Sequence, residues 1–144
     1  MHFENLSNNG PINCSTDHSV NNLDALQHIV ESYTYEEVQK DPNLFQNVQV
    51  AAKAKIPNAM YILAMCYYNG THVTQDYSAA IRLAKKIQQK DGHKIFAKSR
   101  YLIGRCYYTG HGVEQDQERA FRYYRAASRH NKKEYDNFLK TLGF

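Results

Sequence analysis

The side chains that most often perform catalysis or bind metals are scattered in this sequence. Its three cysteines are Cys14, Cys66 and Cys106. An odd number of cysteines without paired spacing predicts neither a disulfide framework nor a zinc site. The seven histidines occur singly, and the sequence shows no nucleophile elbow, phosphate-binding glycine loop or plausible acid pair. We therefore predict a protein that is not an enzyme and uses no metal and no cofactor.

Tyrosines, which often contribute to binding, are concentrated in one part of the sequence, since ten of the twelve lie in residues 61–144. Aromatic and arginine side chains dominate the energetics of protein interfaces. Tyr67, Tyr107 and one of Tyr123 and Tyr124 are predicted to pack between helices. A second set is offset from that packing stripe and is our candidate partner-binding face, with partly exposed surface as the alternative. Its members are Tyr61, Met65, Tyr68, Tyr101, Arg105 and Tyr108.

Positive charge is confined to the C-terminal half of the chain. Residues 1–79 carry three basic and eight acidic side chains, a net charge of −5, whereas residues 80–144 carry fifteen and six, a net charge of +9. Such a field favours association with acidic partners. A basic ridge is predicted there, either as a solvated face or as a surface for an acidic protein or nucleic acid. It consists of Arg119, Arg122, Arg125 and Arg129.

Local signals predict the helices that position these side chains. Residues 1–20 are polar, lack an apolar period and are predicted to form a flexible leader. Thr34 and Glu37 have the spacing of a capping box. The Asp41-Pro42 pair is typical of a helix start, because the carboxylate accepts backbone N–H groups where proline needs no partner.

The following helices have equally clear boundaries in the sequence. Gly70 suits a left-handed C-terminal cap, and Asp76 is predicted to begin a helix that runs to about Lys90. The glycine at position 112 suits a tight loop. His72 stands at the corresponding place earlier in the chain, so that loop is expected to be strained or differently shaped.

An internal repeat explains most of this organisation. Residues 61–82 and 101–122 share ten identities in 22 positions at an offset of 40, which identifies repeated supersecondary units. Cys66 and Cys106 are equivalent and are predicted to be small buried side chains. We predict one helical domain over 21–144, with a partial repeat at about 41–57, full repeats at about 58–97 and 98–130, and a capping helix at about 131–144.

The second copy resembles a known repeat family. Its pattern is carried by Ile103, Gly104, Tyr107, Gly110, Gly112, Val113, Asp116 and Ala120. This pattern is similar to the Sel-one-like repeat (SLR), a relative of the tetratricopeptide repeat (TPR). The first copy departs from it at Ala64 and His72. The spacing of 40 residues is longer than usual for SLRs, and the extra residues are predicted around Lys90 to Phe96, in the second helix or its exit loop.

The resemblance implies an all-α fold, a short right-handed α/α solenoid of helix-turn-helix repeats with flanking capping helices and a concave face lined by the first helices. It also implies a non-catalytic adaptor that binds protein partners, or an immunity or antagonist protein that binds one cognate protein. Binding of nucleic acid or another polyanion through the basic half is the alternative. No signal peptide or apolar span is visible, so a cytoplasmic protein is expected, as a monomer or an end-to-end dimer.

Overall fold

The computed structural model describes residues 19–129 and 132–141, and within these ranges the chain is helical and contains no strand. The flexible leader predicted over residues 1–20 therefore lies largely outside the described residues. The α-helices of this part of the chain are α1 (Ser19–Val30), α2 (Tyr35–Lys40), α3 (Pro42–Lys53), α4 (Pro57–Asn69), α5 (Tyr77–Lys86), α6 (His93–Thr109), α7 (Gln117–Ser128) and α8 (Lys132–Thr141).

The chain divides into two compact units, Met1–Gln75 and Asp76–Phe144. The boundary falls between α4 and α5, which are the two helices of the first full repeat. The units therefore do not coincide with the sequence repeats. The single domain over 21–144 stays a prediction.

The first unit packs α3 against α1, α2 and α4. The predicted capping box is present, since the Thr34 hydroxyl accepts from the Glu37 N–H and the Glu37 carboxylate accepts from the Thr34 N–H. Asp41 caps α3 at its first turn. The Asn58 side-chain amide donates to the carbonyl of Val30 at 2.7 Å and so satisfies the end of α1. Capping groups of this kind pair backbone groups that a helix end leaves unsatisfied.

The second unit packs α6 against α5 and α7, and α8 lies against α7. Tyr124 of α7 is fully buried, and its ring lies 6.2 Å from that of Tyr101 on α6. Gly104 gives this ring its space, because a Cβ at that position would stand 2.4 Å from Tyr124 Cε1. Helix α8 spans the described part of the capping helix predicted over 131–144.

The two repeat loops have positive φ angles at equivalent positions but differ in one of the residues that adopt them. Gly70 and Gly110 end α4 and α6 in the left-handed conformation, as predicted for Gly70. Two residues further on, Gly112 has φ 76° whereas His72 has φ 61°. A side chain is strained there, and this confirms the strain expected in the first loop. His72 is held by a hydrogen bond from Nε2 to the Val38 carbonyl at 2.8 Å.

The connection between the repeats differs from the sequence prediction. Helix α5 ends at Lys86 and not near Lys90, so the prediction of a longer helix was wrong. The chain leaves the helix because Ile87 turns into the core in extended conformation. A 3-10 turn, Gln89–Asp91, follows. Helix α6 then begins at His93, so the extra residues lie in the exit loop and in the first turn of α6.

Candidate functional site

A basic pocket lined by tyrosines lies between α5, α6 and α7 of the second unit. Its volume is about 330 Å³, which is at the lower end of the range for ligand sites. Four of its seven lining residues are cationic. The residues are Lys85, Arg100, Tyr107, Arg119, Arg122, Tyr123 and Ala126. We refer to this set as the basic pocket.

Tyr107 lies at the centre of the basic pocket. Its hydroxyl oxygen accepts from Lys85 Nζ and from Arg119 Nη1, each at 3.4 Å. Its ring stacks on Tyr123 at 5.6 Å between centroids with an interplanar angle of 8°. The hydrogen bond from Arg119 and the charge of Lys85 hold the pKa of the Tyr107 hydroxyl below its ordinary value, against the opposing effect of burial. Because the oxygen acts as acceptor for both cations, the hydroxyl proton is the group that Tyr107 can donate to a ligand.

Arg100 forms one wall of the basic pocket and holds the end of α5. Its guanidinium donates to the carbonyls of Ala84 at 3.3 Å and Ile87 at 2.8 Å. It also lies 4.4 Å from the centroid of the Phe96 ring. Burial lowers the pKa of Arg100. The fork of donors is thus used to satisfy carbonyls that the helix end leaves open.

The arginines of the predicted basic ridge lie on α7 and at its C-terminal end. All four are exposed, but only Arg119 and Arg122 are among the residues that line the basic pocket. Arg122 Nη2 pairs with Glu118 Oε1 at 2.9 Å on the exposed face of the helix. As one continuous binding ridge, the four arginines remain a prediction.

A second cavity adjoins the basic pocket, and its lining includes acidic residues. It has a volume of about 450 Å³ and shares Tyr107 and Arg119 with the basic pocket. Glu114 and Asp116 also line it. Asp116 Oδ2 lies 3.8 Å from Arg119 Nε. These carboxylates repel anions, so an additional negative charge is favoured in the basic pocket rather than in this cavity.

The side chains of the predicted partner-binding face differ in exposure. In the first unit, Tyr68 is 7% exposed, while Tyr61 and Met65 are half-buried. In the second unit, Tyr101 is also 7% exposed, and its ring contacts Tyr124 in the core. Tyr108 is half-buried and Arg105 is exposed. As a binding surface, these residues remain a prediction.

Sequence reasoning did not identify the basic pocket as a unit, although one signal for it exists. At the repeat offset of 40, three of its four cations and Tyr123 replace residues that are apolar in the preceding copy. Tyr107 and Arg122, by contrast, have a tyrosine and an arginine as equivalents. The replaced pairs are Phe45/Lys85, Met60/Arg100, Ala79/Arg119 and Leu83/Tyr123. Departures from the repeat, rather than its identities, thus mark this site.

The two equivalent cysteines are fully buried, as predicted from the repeat. Burial raises the pKa of Cys66 to about 12 and that of Cys106 to about 11. The thiolate is the reactive form. We expect both thiols of the native protein to react with iodoacetamide at pH 8 at least about 100-fold more slowly than after unfolding in urea, and Cys66 more slowly than Cys106. Peptide mapping by mass spectrometry separates them from Cys14, and rapid labelling of Cys106 would contradict the structure.

Two further features concern only the residues that the structure describes. Within 19–129 and 132–141, no three His, Cys, Asp or Glu side chains come together as a metal-binding group would require. No helix in those same ranges is long and apolar enough to cross a membrane.

The paired helices, left-handed caps and repeated loops define a helical-repeat protein of the α/α-solenoid class. The family model of the Sel1 repeat matches residues 57–87 and 97–132, which confirms the resemblance to the Sel-one-like repeat. The crystal structure of a Sel1 repeat protein from Oxalobacter formigenes is similar to this chain, with a TM-score of 0.63 and 28% identity. The match covers 85% of this chain and 49% of that one, so this chain spans about half the length of its relative. No curated protein matches the sequence. Sel1 repeats are generally protein–protein interaction modules and are typically non-catalytic.

Proposed function

We propose that this protein is a non-catalytic module that binds one acidic cognate protein, as an adaptor or as an immunity or antagonist protein. The basic pocket carries this proposal. It brings Lys85, Arg119 and Arg122 to one opening beside two stacked tyrosines. Arginine and tyrosine are the side chains most often found at binding hot spots.

The predicted partner-binding face supplies a further proposed contact region. Arg105 and the half-buried Tyr108 are its more accessible members in the second unit, and Tyr61 and Met65 in the first. Tyr68 and Tyr101 are buried, so they would support this surface by packing. The basic pocket therefore provides the sharper test.

The test is affinity capture of the tagged full chain from its own cells, with and without nuclease, in three forms. We expect a nuclease-resistant partner for the unaltered chain. Charge reversal of the pocket in Lys85→Glu/Arg119→Glu should weaken its affinity at least 100-fold, because two attractive contacts become repulsive. The measurement is the Kd of the purified pair by calorimetry.

A matched variant controls for net charge. Lys86→Glu/Arg125→Glu makes the same change in charge on the same two helices, at exposed residues that do not line the pocket. This control should retain the affinity within about fivefold, since rim charges act mainly on the association rate. Equal losses for both variants would contradict the pocket as the binding site. Loss of every partner after nuclease, with a steep dependence on salt, would instead support nucleic-acid binding.

A further inference from the structure

We infer that the basic pocket seats a carboxylate side chain of the partner, with the Tyr107 hydroxyl as the central donor and Lys85 and Arg119 as the flanking charges. This inference rests on the proposed function and specifies its chemistry at the same site.

The first support is the convergence of donors on one point. Lys85 Nζ and Arg119 Nη1 both lie 3.4 Å from the Tyr107 oxygen. Two cations thus share one neutral oxygen, although an ammonium has three donors and a guanidinium has five. A carboxylate beside them would accept hydrogen bonds in which both donor and acceptor are charged, and these are stronger than bonds to a neutral hydroxyl.

The second support is the distribution of charge around the pocket. Arg122 is paired with Glu118, and Arg119 lies near Asp116. In the described residues, the hydrogen bond of Lys85 Nζ goes only to the neutral Tyr107 hydroxyl. The positive charge left for a ligand is therefore small, and it matches a single negative charge better than two.

The third support is the negative charge next to the pocket, which disfavours a dianion on electrostatic grounds. Glu114 and Asp116 line the adjoining cavity, which shares Tyr107 and Arg119 with the basic pocket. These carboxylates would repel the second negative charge of a phosphate more strongly than they repel a single charge. A carboxylate group carries one charge and has three non-hydrogen atoms, so it fits the volume of about 330 Å³ together with its side chain.

The comparison of the repeats provides the fourth support. Tyr67 is the equivalent of Tyr107, but Ala79 stands in place of Arg119 and Phe45 in place of Lys85. The tyrosine is thus part of the repeat, whereas the flanking charges are specific to the second copy. This difference supplies the control variants for a test.

The test measures binding of a fluorescein-labelled octaglutamate peptide to the full chain by fluorescence anisotropy at low salt. Tyr107→Phe removes the hydroxyl and keeps the ring, so we expect about a tenfold weaker Kd, the usual effect of losing a hydrogen bond to a charged group. Lys85→Gln should weaken binding by a similar factor. Both variants should unfold at nearly the same urea concentration as the unaltered chain.

The matched controls are Tyr67→Phe, at the equivalent position of the first repeat, and Lys86→Gln, at the exposed neighbour of Lys85. Each should change the Kd by less than twofold. Equal losses in Tyr107→Phe and Tyr67→Phe, or the absence of measurable peptide binding, would overturn the inference.

Competition separates a carboxylate from a phosphate. At constant ionic strength, glutarate should displace the peptide at lower concentration than inorganic phosphate does, and the reverse order would overturn the assignment of a carboxylate. The two proposals fail separately. A captured protein whose affinity is unaffected by Tyr107→Phe overturns this inference alone, whereas peptide binding that depends on Tyr107 without any captured protein partner overturns the proposed function alone.

Discussion

Tyr124→Ala should lower the free energy of unfolding by about 3–5 kcal/mol, the usual cost of removing a buried aromatic side chain. Tyr124 is fully buried on α7, and its ring contacts those of Tyr101 on α6 and Phe121 on its own helix. Truncation leaves a cavity that two packed helices cannot close without shifting. Urea unfolding followed by circular dichroism at 222 nm gives the measurement.

A substitution at Gly104 tests the reason for this cost, because the absence of a side chain there leaves the space that the Tyr124 ring occupies. A Cβ at position 104 would lie 2.4 Å and 2.6 Å from two ring atoms of Tyr124. Gly104→Ala should therefore cost about 1–3 kcal/mol through overpacking. With Tyr124→Ala in place, the same change should instead stabilise by up to about 1 kcal/mol, because alanine favours the helix over glycine.

The two single variants and the double variant form a thermodynamic cycle with a coupling energy of about 2 kcal/mol or more. If Gly104→Ala has the same effect in both backgrounds, the close contact between Gly104 and Tyr124 does not determine the packing of α6 on α7. The equivalents of this pair in the preceding copy are Ala64 and Ala84. The second repeat thus has a glycine and a tyrosine at the two positions where the first repeat has alanines.

The fold was predictable from the sequence where its determinants are local. The capping box of Thr34, the cap of Asp41 and the left-handed Gly70 each depend on residues within a few positions of one another. Local rules therefore identified these ends. The end of α5 was not predicted, because Ile87 leaves the helix to enter the core. Burial of that kind is a tertiary effect.

The candidate site was predictable only as a charge. The excess of basic residues after position 80 is visible in the sequence, but the partners of each charge are not. Arg119 and Arg125 carry the same charge and lie on the same helix, yet only Arg119 lines the pocket. Tyr107 was correctly predicted to pack between helices, and its hydroxyl also reaches Lys85. Tyr107 thus both packs between helices and lines the pocket. A sequence prediction that assigns it only the packing role misses its role in the pocket.

Arg100 should stabilise the pocket without contributing directly to affinity, and Arg100→Met tests this division. Methionine is the residue at the equivalent position of the first repeat, Met60. The substitution removes the donors to the carbonyls of Ala84 and Ile87. Because hydrogen bonds from a charged donor contribute more than neutral ones and Arg100 is half-buried, we expect a loss of about 2 kcal/mol in the free energy of unfolding. Urea unfolding measures this loss.

Arg122→Met is the matched control, because it removes an arginine of the same pocket whose ion pair with Glu118 lies on the exposed face. It should cost no more than about 0.5 kcal/mol, as exposed pairs separated by four residues usually do. If the two variants are equally stable, the carbonyls at the end of α5 do not depend on Arg100.

Because Arg100 is committed to those carbonyls, the folded Arg100→Met protein should still bind the octaglutamate peptide within about threefold of the unaltered chain. A tenfold loss would make Arg100 a ligand-binding residue, and the charge available to the partner would then be larger than that of Lys85 and Arg119.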